Sequence, residues 1–256
     1  MAKIIAIANQ KGGVGKTTTA VNLSAAIAYL GKKVLIVDLD PQGNTTSGLG
    51  FEKTEKSKSV YDVLIGMEPF QDTLKQTQLE TLKLCPSSIH LAGAEIELVS
   101  AISRETRMKT AIEQIASEFD YIFFDCPPSL GLLTVNALTA SHTILVPIQC
   151  EFYALEGLSQ LMNTVGIVQA HLNPSLDVEG VVLTMFDART NLSLQVVEEV
   201  KRYFKNKVYR TMIPRNVRLS EAPSYGLPII LYDKASKGGE SYLKLAEEVV
   251  QSSHLY

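Results

Sequence analysis

Short runs of β-branched and aliphatic residues recur along the chain, each separated from the next by a stretch with helical spacing. This alternation leaves few folds open. Residues 4–8, 34–37, 121–124, 143–146 and 181–183 are almost continuously apolar. Strands buried on both faces show that character, whereas half-solvated antiparallel strands alternate. Helical patterns fall at 17–30, 60–66, 94–117 (broken near Ser103), 131–141, 153–172, 191–205 and 239–251. Strands alternating with helices predict βαβ units. The expectation is a doubly wound α/β fold, a mostly parallel sheet with helices on both faces. Segments 43–59 and 214–228, rich in Gly, Ser, Thr, Pro and charged residues, read as irregular surface connections. No repeat or linker divides the chain, so 1–256 is expected to be one domain. Of its 256 residues 46% are apolar and 20% charged, which excludes a disordered chain and supplies a core. No apolar run reaches the ~18 residues of a membrane-spanning helix, and no signal peptide is expected.

The first strand leads into N-Q-K-G-G-V-G-K-T-T at residues 9–18, directly before the first helix. The P-loop pattern G-x-x-x-x-G-K-[ST] nearly fits, with Gln10 where its first glycine belongs. Glycines let backbone N–H groups crowd around phosphate oxygens, and the helix that follows points its positive end at them. Lys16 is placed to pair with β/γ-phosphate charge and the Thr17 hydroxyl to ligate Mg²⁺. The departure from the pattern is an additional lysine, Lys11, at the mouth of the loop.

Two carboxylate motifs follow. The second strand ends in V-D-L-D-P-Q-G-N, with Asp38 and Asp40 at the sheet edge where ligands of open α/β folds bind. Asp38 reads either as a second site residue or as a cap on loop N–H groups. The third strand runs Tyr121-Ile122-Phe123-Phe124 into Asp125, a Walker B arrangement in which Asp125 accepts from Mg²⁺-bound water or from Thr17. Cys85, Cys126 and Cys150 are odd in number, without C-x-x-C spacing, and no two of the four histidines are four residues apart. Neither a disulfide framework nor a zinc site is expected.

The loop resembles the deviant Walker A motif K-G-G-x-G-K-[ST]-[ST], shared by ParA/Soj partition ATPases, MinD division-site ATPases, nitrogenase iron protein and arsenite/tail-anchor ATPases. The segments D-C-P-P-S-L-G-L-L-T-x-N-A-L, P-x-Q-C-E-x-x-A-L-E-G-L, T-M-x-D-A-R-T and I-P-R-N-V-R-L-S-E-A-P-S look like small chromosomal Soj/ParA proteins. That resemblance implies an Mg²⁺-dependent ATPase whose nucleotide site comprises Lys11, Gly12, Gly13, Val14, Gly15, Lys16, Thr17 and Thr18. Lys11 would be the signature lysine that crosses to the nucleotide of a second subunit, and Asp40 the switch I aspartate that orients the attacking water. Pro214 and Asn216 align with the segment lining the adenine, and Arg189 and Arg218 with arginines that touch the DNA backbone. Also implied are an ATP-dependent homodimer, non-specific binding of double-stranded DNA, stimulation by a ParB/Spo0J-like partner, and a cytoplasmic, nucleoid-associated location. The first strand begins at once, so the helix-turn-helix of larger plasmid forms is not expected.

Charge distribution agrees with DNA binding. The net charge is −3, yet the stretch from Asp187 to Lys237 holds ten Lys/Arg against five Asp/Glu. On the helix at 191–205, Leu192, Val196, Val200 and Tyr203 make an apolar stripe, leaving Lys201, Arg202 and Lys205 toward solvent. The alternatives are a MinD-like membrane-associated ATPase, an iron–sulfur reductase and an amide ligase. The first needs a basic amphipathic tail, whereas the terminal helical segment carries Lys244 against Glu247 and Glu248 and reads as a helix docked on the sheet. The second needs cluster cysteines in a matching motif, and the third a small-molecule acid site; neither is visible.

Overall fold

A computed structural model describes residues 2–53, 57–151 and 157–252. Seven strands form one sheet: β1 (Lys3–Ile7), β2 (Val34–Asp38), β3 (Lys75–Gln76), β4 (Leu82–Cys85), β5 (Tyr121–Asp125), β6 (Thr143–Gln149) and β7 (Asp177–Thr184). Their order is β3-β4-β2-β5-β1-β6-β7. Only β3 runs antiparallel to its neighbour. The helices are α1 (Lys16–Tyr29), α2 (Asn44–Gly48), α3 (Val60–Ile65), α4 (Phe70–Thr73), α5 (Leu91–Glu97) and α6 (Arg107–Glu113). After them come α7 (Leu132–Ala140), α8 (Leu158–His171), α9 (Asn191–Phe204), α10 (Val217–Glu221), α11 (Ile229–Tyr232) and α12 (Lys237–Ser252).

The strand period of two sorts the core into two layers. Ile4, Ala6, Leu35, Val37, Ile122 and Phe124 face one layer, with residues of α3 and α5 to α9. Ile5, Ile7, Val34, Ile36 and Phe123 face the other, with residues of α1, α11 and α12. Both faces are covered, which is why these strands read as unbroken apolar runs. The register places Ile7, Asp125 and Asp38, the last residues of β1, β5 and β2, in one row across the sheet. Everything that follows these strands therefore gathers at one edge.

The expected mostly parallel α/β fold is what the chain adopts, with several local corrections. Segment 43–59 is not all surface connection: it contains α2, whose Thr45 and Thr46 are fully buried. The helix expected over 94–117 is two separate helices, α5 and α6, with 3₁₀ turns between them and Ser103 in a left-handed conformation at φ 55°. Strand β4 was not expected. The described part of the helix expected at 153–172 is α8; residues 152–156 lie outside the described residues. On α9 the buried side is Ser193, Val196, Val197, Val200 and Phe204, so the stripe is rotated from the expected one. Leu192 and Tyr203 face outward at 39% and 58% exposure. Helix α12 packs against α1, and the Tyr242 hydroxyl meets Thr19 Oγ1 at 3.2 Å.

Candidate functional site

The loop between β1 and α1 is pinned by polar contacts to the strands beside it. Asn9 Nδ2 donates to the Pro147 carbonyl at 2.7 Å, and its Oδ1 accepts from Lys11 N at 3.1 Å. Thr184 Oγ1, at the end of β7, donates to the Val14 carbonyl at 2.8 Å. Gly13 and Gly15 have φ of +74° and +86°, a left-handed backbone that other residues adopt only under strain. Among the described residues a Cβ at Gly12 or Gly13 would meet nothing within 4 Å.

Lys16 is 7% exposed, and its Nζ donates to the Lys11 carbonyl at 3.1 Å, closing the loop on itself. Burial pushes its ammonium pKa down, opposed by the Asp125, Cys126 and Asp40 charges. Across from it stand two carboxyls in register. Asp38 is pushed up to about 8 by burial and by the neighbouring Asp125 charge, although Thr46 and the Asp40 amide donate to it. Asp125 is pushed up to about 6, first by burial and then by Asp40; the Thr45 and Thr17 hydroxyls and the Lys16 charge oppose the rise. Asp125 Oδ2 accepts from Thr45 Oγ1 at 2.8 Å, while its Oδ1 is buried with no hydrogen-bond partner among the described residues. A buried carboxylate oxygen with nothing to accept from suits a water molecule held by a hard cation, so these residues fit Mg²⁺.

Asp40 is buried at the start of the turn after β2. Its Oδ1 accepts from Gln42 N at 2.9 Å, and its carbonyl accepts from Gly43 N at 2.8 Å and Ser87 Oγ at 2.8 Å. On the other flank of the loop lies a cavity of about 270 Å³, whose lining includes Gly15, Thr18, Pro214, Asn216, Leu219 and Pro223. The structure thus brings Pro214 and Asn216 into one lining with Gly15 and Thr18 of the P-loop. The Asn216 side chain caps α10 by accepting from Arg218 N at 2.9 Å.

Arg189 and Arg218 lie outside this cluster. Phe186 N donates to the Ile213 carbonyl at 3.0 Å, so the segments bearing them run side by side. Arg189 is bidentate to Asp187 at 2.9 and 2.7 Å, with its side chain 88% exposed. Arg218 is paired with Glu221 at 2.9 Å and Asp233 at 3.5 Å. Sequence reasoning missed Asn9, Thr45, Thr46, Ser87 and Thr184. The pair Thr45-Thr46, two hydroxyls just past an Asp-x-Asp strand end, was the signal available for two of them.

The sheet order, the strand–loop–helix crossing and the lysine, threonine and aspartate at its mouth define a P-loop nucleoside triphosphatase. A family model described as an AAA domain matches residues 2–178. The sporulation initiation inhibitor protein Soj of Bacillus subtilis is 65% identical over 249 residues, 97% of this chain and 98% of that one. The chromosome-partitioning ATPase Soj of Treponema pallidum is 49% identical over 250 residues, 98% of each. Among solved structures, cobyrinic acid a,c-diamide synthase of Mycobacterium smegmatis with bound ADP and magnesium superposes with a TM-score of 0.87. It is 38% identical and the match covers 99% of this chain and 96% of that one. The chain belongs to the Soj/ParA family of chromosome-partitioning ATPases.

Proposed function

We propose that residues 1–256 act as one ATP-gated DNA-partition switch. In this reading two ATP-loaded copies pair and hold double-stranded DNA through its backbone, and hydrolysis, raised by a ParB/Spo0J-like partner, releases it. The observation that carries the reading is Lys11. Its backbone N–H and carbonyl are bonded within the loop, yet among the described residues its ammonium makes no hydrogen bond or ion pair. A cation at the mouth of a phosphate site that does nothing for its own loop is suited to the phosphates of a second copy. Charge delivered in that way is worth ~10³–10⁵ in rate for arginine fingers.

The remaining residues divide the work. Amides of Gly12, Gly13, Val14, Gly15, Thr17 and Thr18 cradle the phosphates. Lys16 exchanges the Lys11 carbonyl for phosphate oxygens. Pro214 and Asn216 flank the base in the adjoining cavity. Thr17 and, through water, Asp125 would hold Mg²⁺, whose charge would offset that of the phosphates. Asp40, fixed by the Gln42 amide, orients the water that attacks. Arg189 and Arg218 provide the DNA contacts. A nucleoid-associated role in the cytoplasm follows, and not a lipid surface: Tyr242, Leu245, Ala246 and Val249 of α12 are buried. Among the described residues no helix is long and apolar enough to cross a membrane.

The test is a salt titration of binding to duplex DNA with ATP, with ADP and without nucleotide. Retention in ATP alone is expected, falling with log salt at about −0.9 per phosphate neutralised. Equal affinity in all three states overturns the switch.

A further inference from the structure

The consecutive threonines of α2 tie together two carboxylates that belong to different strands. Thr45 Oγ1 donates to Asp125 Oδ2 at 2.8 Å, and both residues are 0% exposed. Thr46 turns the other way: its Oγ1 and N–H both donate to Asp38 Oδ2, at 2.6 and 2.8 Å. Thr46 Oγ1 in turn accepts from Ser87 N at 2.9 Å, and Ser87 Oγ donates to the Asp40 carbonyl at 2.8 Å. Asp40 N donates to Asp38 Oδ1 at 3.2 Å, which closes the ring.

The geometry points to Thr45 as the positioning residue that aims Asp125 at the metal, and to Thr46 as the one that holds the Asp40 turn. A carboxylate rotates freely about its last bond unless one oxygen is held. With Oδ2 taken by Thr45, the orphaned Oδ1 is presented in a fixed direction to a cation-bound water. The two threonines are one residue apart on a five-residue helix, so the metal side and the water side of the site share one support. The argument rests on Asp125 being the acceptor for the metal-bound water, as proposed above. Removing such an outer partner typically costs 10–100-fold in metal affinity.

The experiment titrates Mg²⁺ against a fluorescent ATP analogue held at fixed concentration, with the thermal midpoint of each variant measured without nucleotide. Thr45→Val is expected to bind the analogue without Mg²⁺ as the unsubstituted chain does, yet to require about tenfold more Mg²⁺ for the full signal. Thr45→Ser, which keeps the hydroxyl, should stay within about twofold of the unsubstituted chain. Should the valine methyl against Asp125 prevent folding, Thr45→Ala removes the hydroxyl without that contact. Thr46→Val should leave the Mg²⁺ midpoint in place and lower kcat. A Thr45→Val or Thr45→Ala midpoint equal to that of the unsubstituted chain overturns the assignment, as does an equal shift in Thr45→Ser. Asp125→Asn separates the two levels: if it leaves the Mg²⁺ midpoint unmoved, the reading of Asp125 fails and Thr45 falls with it.

Discussion

Asp38 and Asp125 are neighbours in register on β2 and β5, both sealed from solvent, and two such carboxylates resist being charged together. Burial and the Asp125 charge therefore push the Asp38 carboxyl up to about 8, while Asp125 rises to about 6. A carboxyl raised above its unfolded value of 3.8 binds more protons folded than unfolded between those two values. Its stabilising contribution is thus complete at low pH and is lost as pH climbs toward 8. Asp125, near 6, has done most of its titrating by about pH 7, so the decline from there toward pH 8 belongs mainly to Asp38. We expect the thermal midpoint of the nucleotide-free chain to fall between pH 6 and 8, and Asp38→Asn to lose that part of the slope whatever it does to the absolute midpoint. The depressed Lys16 acts with the opposite sign but is common to both chains. Equal slopes would place the proton elsewhere. At this scale the sequence was legible where chemistry is contiguous: Lys11 to Thr18, Asp40 and Asp125 stand in short motifs. Thr45 was not, because its partner Asp125 is 80 positions away and only the β2–β5 pairing brings them together.

Elements were legible in proportion to how completely they are buried. Strands β1, β2, β5 and β6 are apolar at nearly every position because helices cover both their faces, and each declared itself. Strand β4 did not: Leu-Lys-Leu-Cys is four residues long, with Lys83 only half-buried beside the Phe119 ring. In 94–117 the false periodicity came from Ile96, Val99 and Ile102, which are exposed at 78%, 62% and 89%. Helix α2 was hidden by its composition, since Asn-Thr-Thr-Ser-Gly favours turns unless tertiary bonds hold it. Its far end shows a constraint of another kind. Gly50 and Gly226 pass so closely that a Cβ on Gly226 would stand 2.6 Å from the Gly50 Cα, and both have positive φ. This crossing links α2 to the turn carrying Pro223 of the base-side cavity. Gly226→Ala is expected to cost at least the ~1–3 kcal/mol of a left-handed non-glycine residue. Calorimetry would read that as a drop of roughly 2–4 °C per kcal/mol. Gly12→Ala, with an ordinary φ and open space, should stay within about 0.5 kcal/mol of the unsubstituted chain yet weaken ATP binding. If instead the two variants melted alike, the crossing would not be the constraint the geometry describes.

For the whole molecule the governing fact is that an acidic protein carries a basic stretch, from Asp187 to Lys237. At a net −3 its average field repels DNA, so association depends on turning one face to the phosphates. That face is partly self-occupied: Asp187 holds both Nε and Nη2 of Arg189, and Glu221 with Asp233 holds Arg218. Exposed pairs of this kind are worth little, and a phosphate can displace the carboxylate. On the proposed reading a single copy is expected to bind DNA weakly, and pairing two copies to raise affinity by multiplying contacts without remodelling either face. Reversing one charge separates this from every role at the nucleotide. Arg189 is exposed and remote from Lys16 and Asp125 in the bonding pattern, so Arg189→Glu should dimerise with ATP as the unsubstituted chain does, measured by light scattering. It should also lose DNA retention and show a shallower salt slope in whatever binding remains, since each copy contributes one phosphate contact fewer. Loss of ATP-dependent pairing together with DNA binding would mean that Arg189 supports the interface between copies. Undiminished DNA binding would move the contact to Lys201 on α9 and Lys205 just after it, both exposed on the same basic stretch.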